Sequence, residues 1–448
     1  MKGFQVTNLD TTYRESILNG SYPVLKNNLI PVIISDTGVV TKADTSKEWY
    51  SYENKNLANS VILKDESITY QNGEEIPESN IESYFVWIPK YSYQLFDLGN
   101  YSSLTSISNK TQEIKIKFGT NNTSDSISGE CTTPFENNQG IAGSSRNCKV
   151  GDYMTHPAFL SFDTNGLWVG KFETGHDVAT TTTAAQVNSV DTSKIIIKPN
   201  VYSWRNINIG NAFKNSYDYQ RDLDSHMMKN TEWGSVAYLQ HSAYGSQASV
   251  RINNNSSYIT GYAATSEPTL GHSETSTAGN RIESTALGVD GAYTIDYLNN
   301  KSVVASTTNN YSGIYDTSGG SWEYVMGYTT GATTVGGSSD ITSLYSNFFN
   351  DNTYSKYWDK YTSTNYNNRI LGDATGEVGP FGTEKDPDGI NRNKSSWYKD
   401  YANFEFSSNP WFQRGGSWSF GTESGSFAFS DIGGEANIDF SYRIVLAP

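Results

Sequence analysis

The stretch WFQRGGSWSFGTESGSFAFS, residues 411–430, combines bulky aromatic side chains with glycine, serine and threonine. Gly415 and Gly416 permit backbone conformations that are closed to other residues, which indicates a tight turn. The guanidinium of Arg414 can fix neighbouring carbonyl or carboxylate oxygens, and the indole of Trp418 can bury a large area. Two interpretations are open at this point: a glycine-rich hairpin of the core, or a binding surface displayed on a rigid frame.

Residues 419–440 alternate aromatic, polar and small side chains, so one face can lie against the core while the other meets solvent. We predict that Phe420, Phe427 and Phe429 contact a ligand. The neighbours predicted to line the same surface are Trp418, Ser419, Thr422, Glu423, Ser430, Asp431 and Asn437. Antibody paratopes likewise combine rigid aromatic area with adaptable hydrogen bonding. The alternative is that Phe427 and Phe429, which share one strand face, belong to the core.

The composition indicates a folded protein that does not bind nucleic acid. The 448 residues carry a formal net charge of −15, and 13% of them are aromatic. Disordered chains lack aromatic residues, so we expect this chain to fold. No run of lysine and arginine is long enough to neutralise a phosphate backbone, which argues against a nucleic-acid partner.

The chain has no stretch of about 18 consecutive apolar residues, so we expect no membrane span. Residues 1–28 contain neither the apolar core nor the cleavage site of a signal peptide. A role outside the cell therefore requires release by lysis, assembly into a particle or a processing event. We expect the protein on a virion or an extracellular surface.

The N-terminal part of the chain reads as short strands. Residues 29–42 form two apolar runs around Asp36-Thr37-Gly38, which predicts a β-hairpin. Short apolar runs between glycine, asparagine, serine and aspartate turns favour β structure. We therefore assign residues 1–80 to a small β-rich module for attachment or oligomerisation.

A second unit is predicted at 81–448. It opens with an alternating strand at 81–96, in which Pro89 marks an edge position or a break. A polar insertion follows at about 98–150, and residues 166–175 read as a buried strand. The best helix candidate spans 225–245, because its apolar residues share one face and it has start signals at residues 230–232.

Six stretches of this second unit occur in the order known from one protein family. They are YFVWIP (84–89), GLWVGKFETG (166–175), VYSWRNINIGNAF (201–213), HMMKNTEWGSVAYL (226–239), GIYDTSGGSWEYVMG (313–327) and RGGSWSF (414–420). In this order they resemble the formylglycine-generating-enzyme-like branch of the C-type lectin fold. The closing strand, residues 440–448, has Tyr442-Arg443 where that family has Phe-Arg. The resemblance covers 81–448 and implies an α+β, C-type-lectin-like fold with long loop insertions.

The C-terminal residues resemble a narrower group within this family. RGGSW together with GSFAFSDIGGEANIDFSYRIVL (425–446) is similar to the variable region of diversity-generating-retroelement proteins, including phage tropism determinants that bind receptors. Other stretches resemble prophage-encoded surface proteins. This likeness implies a stable scaffold that displays a solvent-facing patch, with residues 411–448 as the ligand-binding region.

The catalytic branches of the family are not expected here. The oxidase branch needs a cysteine pair just before the closing strand, and no cysteine lies between Trp418 and Pro448. The sulfoxide-synthase branch uses iron-binding histidines, but the five histidines here form no HxxxH pair. We predict a structural or surface role for each of them.

Hydrolase and nucleotide motifs are also missing from the sequence. No GxSxG elbow or phosphate-binding loop occurs. A carboxylate pair for glycoside cleavage stays open, although no motif nominates one. Glu323 is the strongest single carboxylate, and we predict that it supports the core loops. The residues to which we assign such a structural role are Trp322, Glu323, Arg414, Gly415, Gly416 and Arg443.

Two further features leave alternatives open. Asp386, Asp388 and Asn391 place oxygen ligands around a glycine, but the loop lacks the twelfth-position glutamate of an EF-hand. A solvated turn is the preferred interpretation, with calcium as the alternative and no other cofactor expected. Cys131 and Cys148 can form a disulfide or remain free thiols, and neither has neighbours suited to redox or metal chemistry.

The sequence thus predicts a non-enzymatic protein of a phage or prophage particle that binds a host-cell surface receptor, either protein or glycan. Its N-terminal module would contact other virion proteins, and a homo-oligomer, with a trimer favoured, would gain avidity. One alternative is a structural decoration or fibre subunit that binds no cell. A second alternative is a glycan hydrolase with an unmarked carboxylate pair.

Overall fold

The computed structural model describes residues 19–26, 28–94, 114–118, 153–177, 184–199, 201–247, 305–329, 338–361, 372–374, 400–401, 409–418, 420 and 424–448. Within these ranges the chain is a mixed α+β protein built mainly from sheets, with few helices, as the sequence predicts at this coarse level. None of the helices in this part of the chain is long and apolar enough to cross a bilayer.

The described elements are numbered in chain order. The strands are β1 (Ile30–Ile34), β2 (Val40–Lys42), β3 (Asn59–Leu63), β4 (Ile81–Pro89), β5 (Tyr91–Gln94), β6 (Ile116–Phe118), β7 (Tyr153–Thr155), β8 (Gly166–Gly170), β9 (Gly175–His176), β10 (Ile195–Ile196), β11 (His226–Met227), β12 (Trp322–Thr329), β13 (Asp359–Tyr361), β14 (Trp411–Gly415), β15 (Gly425–Ile432), β16 (Phe440–Tyr442) and β17 (Ile444–Leu446). The α-helices are α1 (Ile209–Tyr219), α2 (Asn230–Gln240) and α3 (Ser338–Leu344).

The larger sheet has seven antiparallel strands in the order β11-β17-β8-β4-β3-β1-β2. The hairpin predicted at 29–42 is confirmed as β1 and β2, and Gly38 in its turn has a φ of +79°. The C-terminal strand β17 lies between β8 and β11, so the two ends of the described chain contribute to one sheet.

The predicted boundary at residue 80 does not separate two sheets. Strand β3, from the presumed N-terminal module, pairs with β4, from the presumed second unit, along residues 59–63. The side chains of β3 are buried, and they belong to the same hydrophobic core as β4 and β8. Residues 30–63 are therefore part of the main sheet, because their apolar side chains have no separate core to fill.

Pro89 ends β4 in the interior of this sheet. It pairs in register with Gly166 of β8, after which the chain turns into β5 of a small sheet ordered β6-β5-β7. Of the two predicted possibilities, an edge position or a break, the break is found. Gly166 is required here, because a Cβ atom would lie 2.6 Å from the carbonyl oxygen of Ile88 and 2.5 Å from the Trp87 ring.

The second sheet is centred on β12. Strand β14 pairs with one edge of β12 and β15 continues outward from β14, both antiparallel. The other edge of β12 pairs with β16 near Trp322 and with β13 near Thr329, both parallel. All eight residues of β12 are buried, as expected for a strand with neighbours on both sides.

Helix α2 confirms the helix predicted at 225–245, with narrower bounds. The carboxylate of Glu232 accepts a hydrogen bond from the backbone N–H of Lys229 at 2.8 Å, which satisfies a donor at the helix start. Every residue of α2 is buried. The indole N–H of Trp233 donates to the Ser426 carbonyl at 2.7 Å, so α2 is tied directly to β15.

Lys171, immediately after β8, is a buried cation that joins distant segments. Its ammonium group donates to Asn59 Oδ1 at 2.9 Å, to the Tyr311 carbonyl at 2.6 Å and to the Gly313 carbonyl at 2.7 Å. Burial lowers the pKa of Lys171 well below its usual range. The side chain thereby connects β3 to the loop that leads into β12.

We predict that Lys171→Met destabilises the protein by about 3 kcal/mol, because three buried acceptors lose their donor. The measurement is the free energy of unfolding from denaturant titration. Lys360→Met on β13 is the control, because Lys360 is an exposed lysine in a strand. Equal effects of the two substitutions would contradict the assigned role.

Candidate functional site

Two glycine turns, Gly319-Gly320 and Gly415-Gly416, lie side by side. Their φ angles are +83°, +74°, +88° and +78°, a region that only glycine adopts without cost. The backbone N–H of Gly319 donates to the Gly415 carbonyl at 3.1 Å, and that of Trp418 donates to the Gly320 carbonyl at 2.8 Å. The loop before β12 and the RGGSW turn are thus joined through their backbones.

Arg414 holds the second turn against α2. Its Nε donates to Asn230 Oδ1 at 2.8 Å, and its guanidinium also donates to the Asp373 carbonyl at 2.5 Å. The guanidinium carbon lies 4.8 Å from the centroid of the Phe429 ring. Burial lowers the pKa of Arg414 to about 10, so the group remains a cation at neutral pH. The Arg414 side chain is completely enclosed.

Glu323 and Arg443 form a buried ion pair beneath the first turn. Arg443 Nε lies 2.8 Å from Glu323 Oε2, and the guanidinium also donates to the Gly170 carbonyl at 2.8 Å and to the Tyr315 carbonyl at 3.0 Å. Burial raises the pKa of Glu323 to about 7, an effect that the neighbouring Arg443 opposes. This pair links β12, β8 and the end of β16.

Glu173 lies beside this pair and contacts the first glycine turn. Its Oε1 accepts a hydrogen bond from the backbone N–H of Ser321 at 2.8 Å, and its Oε2 accepts one from the hydroxyl of Ser203. Burial, and then the nearby carboxylates Glu323 and Asp316, raise the pKa of Glu173 well above its usual range. The side chains of Glu173 and Glu323 are buried, and their carboxylate oxygens accept hydrogen bonds from other groups of the protein. This carboxyl pair is therefore enclosed within the described part of the chain.

Three aromatic rings cluster above the turns. The centroid of Phe420 lies 5.0 Å from that of Trp322 and 5.1 Å from that of Tyr401, and Trp322 lies 5.9 Å from Tyr401. All three contacts are edge-to-face, an arrangement preferred by aromatic pairs. Trp322 is buried, whereas Phe420 and Tyr401 are half-buried and present part of their area to solvent.

The loop before β16 adjoins this cluster. The backbone N–H of Trp322 donates to the Asp439 carbonyl at 2.8 Å, and the side chain of Ile438, one residue earlier, is 45% exposed. Arg205 donates to the Ile438 carbonyl at 2.9 Å and stacks on the Trp418 ring at 4.8 Å. We name Tyr401, Phe420, Asn437 and Ile438 the aromatic surface. Trp322 contacts its two rings, and Trp418 stacks on Arg205, which bonds the Ile438 carbonyl.

Phe427 and Phe429 correct the sequence-based prediction of ligand contacts. Phe427 stacks on His241 at 4.6 Å, and Phe429 packs edge-on against Phe412 at 4.9 Å. Their side chains are 2% and 0% exposed, so they belong to the core, which was the alternative interpretation. The reason is that residues 424–429 are buried at every position, whereas the alternating pattern predicted one face in solvent.

The outer edge of β15 is covered. The backbone N–H of Phe429 donates to the Tyr401 carbonyl at 2.8 Å, and that of Phe427 donates to Asp400 Oδ2 at 3.0 Å. Immediately after Phe429 in β15, Ser430 is half-buried and Asp431 is buried. Trp418 is also buried, at 4% exposure, so it supports a surface and offers little contact area itself.

Of the predicted contact residues in the described ranges, Phe420 and Ser430 are half-buried and Asn437 is exposed, so these three can reach a ligand. Several predicted residues lie outside the described ranges: Ser419, Thr422, Glu423, Asp386, Asp388, Asn391, Cys131 and Cys148. Across the ranges that are described, no group of three His, Cys, Asp or Glu side chains is placed to hold a metal ion.

Four residues of this region received no role from the sequence. Tyr401 and Ile438 lie in polar, loop-rich stretches in which no pattern distinguishes an exposed apolar side chain from a buried one. Glu173 and Arg205 are single charges beside buried tryptophan-containing runs. A charged residue within an apolar run predicts a buried, paired charge, because an unpaired buried charge is energetically costly.

No protein-family model matches the chain, and no curated protein matches it. The functional assignment therefore depends on the geometry of the described residues and on the ordered motifs.

We predict that Gly320→Ala costs at least about 3 kcal/mol of stability, because it combines backbone strain with a collision. A Cβ atom at Gly320 would lie 2.3 Å from Glu173 Oε1. Gly73→Ala is the matched control, since Gly73 has a φ of +81° and no atom within 4 Å of its Cβ position. The control should lose only about 1–2 kcal/mol in chemical denaturation. A similar loss for both would exclude the steric contribution.

We predict that Glu173→Gln gains stability relative to the native chain as the pH rises from about 5 to 8. Because the pKa of Glu173 is raised on folding, the folded state keeps a proton that the unfolded state releases above the unfolded pKa. The free energy of unfolding of the native chain therefore falls with rising pH, by up to about 1.4 kcal/mol per pH unit. Below the unfolded pKa, Glu173 is protonated in both the folded and the unfolded state, so it no longer contributes to the pH dependence of stability. The measurement is the free energy of unfolding across this range, with exposed Glu48→Gln as control. Parallel pH curves for all three proteins would contradict the prediction.

Proposed function

We propose that this chain is a non-enzymatic receptor-binding protein of a phage or prophage particle, with a C-type-lectin-like fold that recognises a host-cell surface through the aromatic surface. The observation that carries the proposal is the set of half-buried rings, Tyr401 and Phe420, mounted on Trp322 and braced by two joined glycine turns. Rigid aromatic area costs little conformational entropy on binding, which suits recognition.

The positions of the resembling motifs support the fold assignment. The stretch 201–213 runs into α1, and 226–239 coincides with most of α2. The motif containing Trp322-Glu323 begins the central strand β12. Tyr442 ends β16, and Arg443 follows it. The buried pair Glu323–Arg443 joins the last two of these motifs directly. Such a link gives a physical reason for these residues to occur together in one chain.

The chemistry of the aromatic surface favours binding over catalysis. Its members are Tyr401, Phe420, Asn437 and Ile438, which offer apolar area and hydrogen bonds, and the Tyr401 hydroxyl is the one ionisable group among these four side chains. The carboxyl pair Glu173 and Glu323, which a glycan hydrolase would need in a cleft, is enclosed and internally bonded. We therefore infer that the protein or glycan receptor is bound and left unchanged.

Attachment to other virion proteins, or to two further copies in a homotrimer, is proposed for the region of the β1–β2 hairpin. Ile33 and Val39 are 40% and 39% exposed there, and they offer apolar area for an interface. Because the hairpin continues the main sheet, a contact at this site would fix the orientation of the whole sheet. Linked copies would raise the avidity of weak receptor contacts.

The test is saturable binding of the labelled, full-length protein to cells of candidate hosts. We expect Phe420→Ser combined with Ile438→Ser to weaken binding at least about tenfold, because an apolar side chain buried on binding contributes about 1.5–3 kcal/mol. Leu160→Ser is the matched control, since Leu160 is an exposed apolar residue of the 157–160 turn, outside the aromatic surface. Circular dichroism confirms that each variant is folded.

The other outcomes would contradict the proposal in distinct ways. If Leu160→Ser weakened cell binding as much as the double substitution, receptor recognition would not depend on the aromatic surface. Absence of binding by every form, together with detection of the protein in intact particles, would indicate a structural decoration or fibre subunit. Release of soluble sugar from host envelopes by the native chain would indicate a glycan hydrolase.

A further inference from the structure

Glu173 fixes the backbone from which the aromatic surface rises. Its Oε1 accepts the N–H of Ser321, the residue that precedes Trp322. A Cβ atom at Gly320 would lie 2.3 Å from Glu173 Oε1, so a side chain at this position would collide with the same carboxyl. The backbone N–H of Glu173 in turn donates to Asp316 Oδ2 at 3.1 Å, at the start of the loop. Glu173, in the segment that follows β8, therefore holds both ends of the segment 316–321.

The held segment is joined directly to Trp322 and through a backbone hydrogen bond to Trp418. Trp322 follows Ser321 directly and contacts the rings of Phe420 and Tyr401. Trp418 is attached through its backbone bond to the Gly320 carbonyl. A displacement of residues 320–321 by a few tenths of an ångström would thus move the support beneath the aromatic surface, because interiors are packed too densely to absorb it.

The electrostatic surroundings of Glu173 depend on its own ionisation. Glu323 on β12 and Asp316 in the loop are the acidic groups around it. Arg443, after β16, and Arg205, before α1, are the cations, and each is already engaged, Arg443 with Glu323 and Arg205 with a carbonyl and the Trp418 ring. A proton on Glu173 removes repulsion within this cluster, whereas its loss strengthens the bond from the Ser321 N–H.

We propose that Glu173 is a positioning residue of the aromatic surface: its carboxyl sets the position of residues 320–322, and ionisation of that carboxyl shifts the surface, so that receptor binding depends on pH. This inference rests on the proposed function for its biological meaning. The structural part, a surface whose support moves with the protonation of Glu173, does not require that any receptor be known.

The structural part is tested without a ligand. The full chain is labelled with 5-fluorotryptophan, and the ¹⁹F resonances of Trp322 and Trp418 are assigned from Trp322→Phe and Trp418→Phe. We expect both resonances to titrate together between about pH 5 and pH 9, and to lose that titration in Glu173→Gln, which keeps an acceptor for Ser321 and can donate to Ser203. Glu48→Gln, at an exposed site, should titrate as the native chain does.

Absence of titration in the native chain, or the same titration in Glu173→Gln, would overturn the inference. Either result leaves the proposed receptor binding standing, because that is measured separately on cells. Conversely, failure of cell binding would remove the proposed function and leave the ¹⁹F result intact.

The functional part is a pH profile of cell binding. We expect the affinity of the native chain to change at least about fivefold across the same pH range, the lower end of typical coupling between two sites, and that of Glu173→Gln to remain constant. A purely structural role for Glu173 would lower affinity equally at every pH. A uniform loss of that kind would contradict the inference.

Discussion

The buried ion pair between Glu323 and Arg443 is the interaction on which the rest of the structure depends. It joins the start of the central strand β12 to the C-terminal strands, and its guanidinium also bonds the carbonyls of Gly170 and Tyr315. Removing one partner of such a pair leaves a buried charge, at a cost of about 3–5 kcal/mol. Both sheets are therefore locked together at the point where the aromatic surface begins.

Around this pair the chain uses buried polar groups as connectors between loops. Lys171 bonds three neutral acceptors from distant segments, Arg414 bonds α2, and Glu173 bonds the first glycine turn. Buried charges are tolerated only when they are paired or hydrogen-bonded, so each connector admits few alternative arrangements. This is a physical reason why loops between short strands can hold an aromatic surface in a defined geometry, as a binding role requires.

The aromatic surface itself combines fixed support with exposed contact area. Trp322 and Trp418 are buried and bonded through their backbones, whereas Phe420, Tyr401 and Ile438 reach solvent. A ligand therefore meets side chains whose conformations are largely set before binding, which lowers the entropy that binding costs. Glu173 is a single ionisable group beneath this support. Because its surroundings are densely packed, we expect a change in its charge to move the support.

The sequence by itself determined the elements that depend on local pattern. The β1–β2 hairpin and helix α2 follow from turn residues and helical spacing, and Pro89 limited its strand to an edge position or a break. The pattern also marked Gly415-Gly416 as a tight turn, because positive φ angles favour glycine. Phe420 and Asn437 were identified as candidate contacts, and they are available to solvent.

Only the tertiary structure decided which alternating residues meet solvent. Phe427 and Phe429 show the same local pattern as an exposed strand face, but residues 400–401, distant in sequence, cover the edge of β15. The pairing of β3 with β4 likewise removed the boundary at residue 80. Burial and strand pairing depend on contacts between residues far apart in the chain, and a single sequence contains no local signal for them.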